Sequence, residues 1–209
     1  MTALSERMIE DDGVDGNSRF TSANGMLLLV MLAVEGVTIL DVRGMLTLHM
    51  FLGIMLIPPV LLKSATTFYR FAKYYRGNQP YVRKGPPHIV LRVLGPLVVL
   101  TSLALLGTGV GLLAVTPDGS STLLTLHQVS FIGWVSVMTI HVLGHILEAA
   151  RFSWADIRSA RAPRGRPLRL ITVAVVLFAG VGLAAALMPA AHPWTSAHFQ
   201  HDDSGGGDH

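Results

Sequence analysis

Leu123–Leu147 reads LLTLHQVSFIGWVSVMTIHVLGHIL, a run with three histidines and no Asp, Glu, Lys or Arg. A helix needs about 20 mostly apolar residues to cross the hydrocarbon core of a bilayer, and this run meets that length unaided. Similar blocks occur at Met26–Leu40, Met45–Leu62, Ile89–Val115 and Leu170–Ala191. The first is short and needs Thr21–Gly25 to complete a span. Over 209 residues the chain is 51% hydrophobic and only 14% charged, with a mean hydropathy of +0.51. A soluble domain carries about 25% charged residues. The expectation is an all-α integral membrane protein with five transmembrane helices. The spans fall near 23–41, 45–66, 89–115, 122–149 and 169–190.

The same arithmetic excludes several functions. Five spans use about half the chain, and the remaining pieces are too short for a nucleotide-binding domain. Flavin or NAD chemistry would therefore belong to a partner. There is no cysteine, which removes disulfides, thiolate-held iron–sulfur clusters and the C-x-x-C-H attachment of c-type haem.

Topology follows from the connections. Lys63, Arg70, Lys73, Arg76, Arg83, Lys84 and Arg92 lie between or just inside the second and third blocks. Arg151, Arg158, Arg161, Arg164, Arg166 and Arg169 separate the fourth from the fifth. The other two connections, DVRG and TPDGSST, carry one Arg and none. Cytoplasmic loops collect Lys and Arg, so the amino terminus is expected inside and the carboxyl terminus outside. Topology and anionic lipid headgroups account for the basic loops without nucleic acid. Phe68, Tyr69, Phe71, Tyr74 and Tyr75, interleaved with Arg70, Lys73 and Arg76, read as an interfacial belt continuing the second helix. Pro58–Pro59 should kink that helix, because each proline deletes a backbone donor. Residues 1–22 form an acidic cytoplasmic arm with no basic n-region, so it is expected to be retained. Residues 191–209 read as an external disordered tail rich in His and Asp. Tracts of that kind can bind transition metals loosely.

Five of the nine histidines, His49, His88, His127, His141 and His145, lie in or at the edge of the spans. Ionisable residues inside a membrane are expensive and mark functional sites. His127 and His141 are 14 residues apart, a spacing that returns to nearly the same helix face after a rise of about 21 Å. His145, Trp134 and Met138 share that stripe. One helix thus presents imidazoles near both ends of one face, as two stacked metal centres would require. Counting residues from the expected outer surface puts His49 and His127 at nearly the same depth. His88, at the inner start of the third span, falls level with His141 or His145.

In this the chain resembles the membrane-embedded b-type cytochromes of the cytochrome b561-like superfamily. There, one helix carries two histidines 13 or 14 residues apart, each paired with a histidine from another helix. The likeness is closest to the dihaem cytochrome b subunits of respiratory formate dehydrogenases and Ni–Fe hydrogenases, where the partner histidines come from two different helices. Ferric-reductase-like proteins are further off, since the position 14 residues after His49 is Lys63. The resemblance covers Met45–Glu148. It implies a haem-binding four-helix-type bundle with two haems b, ligated by His49 with His127 and by His88 with His141. His145 is the alternative to His141. It also implies transmembrane electron transfer between a membrane quinone and a separate redox subunit, in a bacterial cytoplasmic membrane, with no bond-making chemistry in the chain itself. Neutral, hydrogen-bonded imidazoles suit bis-histidine ligation, and Gly53, Gly133 and Gly144 permit close approach of a macrocycle.

A different class of function also uses clustered histidines: a haem-free transporter or assembly factor handling a divalent metal or protons. That reading makes His141 and His145, one turn apart, joint ligands. Other features take structural readings. Gly107, Gly109 and Gly111 serve helix packing, since no strand precedes them to make a nucleotide fingerprint. Met138 packs the core. Glu35 needs a partner on another helix or a proton, and Asp41 with Arg43 closes the outer turn. His145 and Glu148 could serve a quinone site or proton path, or simply form a bonded pair.

Overall fold

The computed structural model describes residues 24–83, 89–158 and 166–196, with side chains described for 24–82, 93–143 and 171–196. The described residues form helices and turns without strands. In chain order the helices are α1 (Asn24–Leu40), α2 (Leu46–Met55), α3 (Ile57–Tyr75), α4 (Gln79–Arg83), α5 (Ile89–Leu112), α6 (Ser121–Arg158) and α7 (Arg166–Leu187).

Four stretches among the described residues are long and apolar enough to cross a membrane: Leu46–Tyr75, Val93–Leu112, Ser121–Leu143 and Ile171–Ser196. The fifth expected span is represented by α1, a shorter apolar helix of Asn24–Leu40. At 1.5 Å per residue α1 rises about 25 Å, against a hydrocarbon core of about 30 Å. Large apolar side chains face outward on these helices, including Val30 on α1, Phe68 on α3, Leu100 on α5, Ile132 on α6 and Phe178 on α7. Water-soluble monomers rarely expose contiguous apolar surface on this scale. The architecture is compatible with a multi-pass membrane protein.

The second expected span is one helical rod with a single-residue break at Leu56. Pro58 and Pro59 have no N–H, so the carbonyls of Ile54 and Met55 lose their usual partners four residues on. Neighbouring helices close around the break. Asn24 at the start of α1 donates its side-chain amide to the Pro59 carbonyl at 3.1 Å. Leu28 and Met31 of α1 pack with Leu56 in a small core that Leu177 of α7 also touches. On α7, a Cβ built at Gly180 would stand 2.5 Å from the Met55 carbonyl oxygen. The missing side chain is therefore what lets α7 seat against the break. Beyond it α3 continues to Tyr75, carrying Phe68, Tyr69, Phe71 and Tyr75 as exposed aromatics.

Two packing units result. One is α1 with α2–α3 and α7; the other is α5 with α6, the most extensive helix pair among the described elements. They meet where α2 and α3 contact α5. A second tie lies at the far end of α7. The chain passes through a 3-10 turn, Met188–Ala191, and stays helical to Ser196. Trp194 there donates its indole N–H to the carbonyls of Leu112 and Val115, at 2.9 and 3.1 Å. The tail expected from residue 191 thus begins as ordered chain that caps α5. Asp41 closes the α1–α2 turn by accepting the Gly44 N–H at 3.0 Å.

Replacing Gly180 by leucine forces a side chain into the Met55 backbone and should lower stability by about 1–3 kcal/mol. Gly182, whose Cβ would meet nothing within 4 Å, should tolerate alanine. Thermal unfolding of the two variants in detergent checks the contrast.

Candidate functional site

The helix ends at the Trp194 side of the bundle bring together His49, in the first turn of α2, and His127, in the second turn of α6. Their ring centroids are 6.5 Å apart with the planes at 75°. The depth matching read from the sequence thus pairs two side chains that are close in space, 78 residues apart along the chain. Neither ring hydrogen-bonds the other, and each spends its Nδ1 on a different helix.

The Nδ1 of His49 faces two acceptors from α1. Glu35 Oε1 lies at 2.8 Å and Thr38 Oγ1 at 3.0 Å. The Thr38 hydroxyl has one proton, and it is donated to the Glu35 backbone carbonyl at 2.6 Å. With its proton on that carbonyl, the hydroxyl accepts from His49, which places a hydrogen on Nδ1.

His127 is held by the same logic on the opposite side. Its Nδ1 lies 3.0 Å from Thr108 Oγ1 on α5. The Thr108 hydroxyl donates back to the helix, at 2.8 Å from the Ala104 carbonyl and 3.0 Å from that of Leu105. It too accepts from the ring. Both histidines thus turn Nδ1 to a neighbouring helix, which leaves Nε2 outside those bonds. Orientation of one ring nitrogen by a hydrogen bond to the other is the usual preparation of a metal-binding histidine.

Close backbone approach helps place His127. A Cβ at Gly109 would lie 3.2 Å from His127 Cε1, and one at Gly53 would lie 3.6 Å from Glu35 Oε1. Of the three glycines in the 107–111 run, Gly109 is thus the one that accommodates the imidazole, while a Cβ at Gly111 would meet Leu123 and one at Gly107 nothing within 4 Å. Gly133 likewise has open space where a Cβ would be, so its absent side chain is not filled by a neighbour. Glu35 is buried, and its Oε2 has no hydrogen-bond partner among the described residues. Its one polar side-chain contact is the His49 ring.

The second expected pair is only partly in view. His141 is half-buried on α6. His88 lies outside the described residues, as do the side chains of His145, Gly144 and Glu148. Between the levels of His127 and His141, Trp134 donates its indole N–H to the buried Ser102 Oγ at 3.0 Å and stacks on Phe131. That bond ties α6 to α5 in mid-span. Among the described residues no three His, Asp or Glu side chains converge, as a closed site for a bare divalent cation would require. The site is a two-histidine one.

Sequence reading reached both histidines but not their supports. Thr38 and Thr108 look like ordinary span threonines, and Glu35 belongs to the first span, which like the fifth lies outside the stretch that the resemblance covers. The available signal was weak: a buried acid three residues before a threonine, and a threonine flanked by Gly107 and Gly109. No protein-family model, curated protein or solved structure matches this chain.

Thr108→Val keeps the shape of the side chain but leaves the Nδ1–H of His127 unpaired. Loss of such a partner should destabilise by about 1–3 kcal/mol, and Thr108→Ser should restore most of it. Comparing the melting temperatures of the two variants in detergent measures this.

Proposed function

We propose that the chain is a b-type cytochrome subunit that moves electrons across a membrane, with one haem held between His49 and His127. The observation that carries this reading is the pair itself. Two imidazoles from different spans, each bonded through Nδ1 to a further helix, lie with their centroids 6.5 Å apart. A metal–imidazole bond of about 2 Å, with the ring centre about 1 Å further on, puts two rings ligating one iron about 6 Å apart. Gly109, whose missing side chain makes room for the His127 ring, adds to the fit.

A haem held there would accept and release single electrons at a potential set by its axial ligands and surroundings. The chain's own residues do the rest. His49 and His127 offer Nε2; Thr38, Glu35 and Thr108 hold the Nδ1 side of the rings; the apolar helices keep water from the site. We further propose an inner haem held by His141, or by His145 in its place, together with His88. This rests on the 14-residue spacing from His127 to His141 and on the resemblance to dihaem cytochromes b. Irons about 20 Å apart along one helix would leave porphyrin edges near enough for electron exchange, with Trp134 lying between the two levels. A membrane quinone near the inner haem and a separate redox subunit are the proposed exchange partners. Five spans, with α1 as the first, put the amino terminus inside and the carboxyl terminus outside a bacterial cytoplasmic membrane, as the basic connections favour.

The decisive measurement is the reduced-minus-oxidised visible spectrum of detergent-purified protein, with haem b counted per chain. About two haems are expected. His49→Ala and His127→Ala should each remove the same one of them. Protein produced with ample haem supply that carries none would overturn the cytochrome reading.

The orientation has its own test, helped by the absence of native cysteine. A membrane-impermeant maleimide added to intact cells should label Asp118→Cys and leave Arg161→Cys untouched. The reverse pattern would invert the topology.

A further inference from the structure

The supports of the two proposed ligands are unequal. His127 leans on a hydroxyl, a neutral acceptor. His49 leans on a hydroxyl and a carboxyl oxygen, and the carboxyl is the nearer, at 2.8 Å against 3.0 Å. Glu35 is buried, with its side chain 11% exposed, and its Oε2 has no partner among the described residues. It comes from α1, outside the helices that carry the histidines. The Thr38 hydroxyl clamps the Glu35 backbone carbonyl at 2.6 Å, and Oε1 lies beside Gly53 of α2, where an added Cβ would make ordinary contact at 3.6 Å. A buried acid with one partner is an expensive arrangement in an apolar bundle, which core packing alone does not explain.

We propose that Glu35 is a positioning residue for the His49 ligand: it accepts the Nδ1–H, fixes the plane of the ring, and lowers the reduction potential of the haem bound there. The inference rests on the cytochrome reading and deepens it. An imidazole whose N–H is given to a carboxylate is a stronger electron donor than one bonded to a neutral oxygen. Stronger donation stabilises ferric over ferrous iron, as does a negative charge held close to the metal in a medium of low dielectric constant. Both effects have the same sign. The haem between His49 and His127 is therefore the lower-potential partner of what it would be with a neutral residue at 35. The first helix, which carries no histidine, becomes part of the redox centre.

The test is a spectroscopic redox titration of purified wild-type, Glu35→Gln and Glu35→Leu protein, with haem counted per chain. The component lost in His49→Ala protein identifies the haem concerned. Glu35→Gln keeps an acceptor and removes the charge. It should retain full haem content and a six-coordinate low-spin spectrum while that component alone moves to higher potential. Glu35→Leu removes the acceptor as well. It should move the component further up and broaden the low-spin ferric EPR lines, because the ring plane is no longer fixed. Should the glutamine variant not accumulate, Glu35→Asp withdraws the carboxylate by one methylene and should give a smaller shift in the same direction. Unchanged or lowered potentials in haem-loaded variants would overturn the inference and leave the cytochrome reading intact. A haem-free wild type would remove both.

Discussion

A hydroxyl group has one proton, and in this bundle two threonines spend theirs on their own helices. Thr38 gives its proton to the Glu35 carbonyl and Thr108 gives its own to the carbonyls of Ala104 and Leu105. What remains on each oxygen is lone pairs, and a histidine N–H fills that need in both cases. Each ring is thereby engaged through Nδ1 by a side chain whose own proton goes to its backbone. In an apolar setting this matters more than it would in water. A buried donor or acceptor left unmade costs about 1–3 kcal/mol, and no solvent is at hand to replace it. Thr38 stands on α1 and Thr108 on α5, each on a helix beside one that carries a histidine.

The rest of the fold serves to bring those four helices to one level. The paired prolines interrupt the α2–α3 rod at Leu56 and free backbone carbonyls in a setting without water. Asn24, the Leu28–Met31–Leu56 core and the bare Cα of Gly180 close around that break. This locks α1 and α7 to the rod and sets the height of Glu35 beside His49. On the other side, the Trp134–Ser102 bond fixes α6 against α5 and so sets His127 beside Thr108. Trp194 reaches back from the end of α7 to the end of α5. It joins the two packing units at the level of the histidine pair. Two rings 6.5 Å apart are thus the meeting point of two independently braced halves.

Such bracing suits electron transfer. A centre that changes charge without making bonds benefits from surroundings that do not rearrange, since reorganisation would add to the barrier. The unequal supports of His49 and His127 would then tune the potential through fixed groups. Nothing in that scheme needs a mobile lid or a catalytic acid.

Much of this was legible in the residues. Apolar blocks above the bilayer length announced the helices, because no soluble packing absorbs so much apolar surface. Counting residues from the loops put His49 and His127 at one depth, because helical rise per residue is nearly constant. Other features were not legible. The length of α6, the ordered cap at Trp194 and the short first helix depend on contacts that no local pattern announces. The assignment of Gly109 rather than Gly107 or Gly111 to the imidazole depends on how α5 is rotated about its axis. So does the choice of Thr38 and Thr108 among several span threonines. Rise along a helix is a local property written in the order of residues. Rotation about the axis and the neighbour across the gap are settled by packing between helices. The sequence therefore carried the depth of each of the two histidines, and the tertiary structure alone decided what each one leans on.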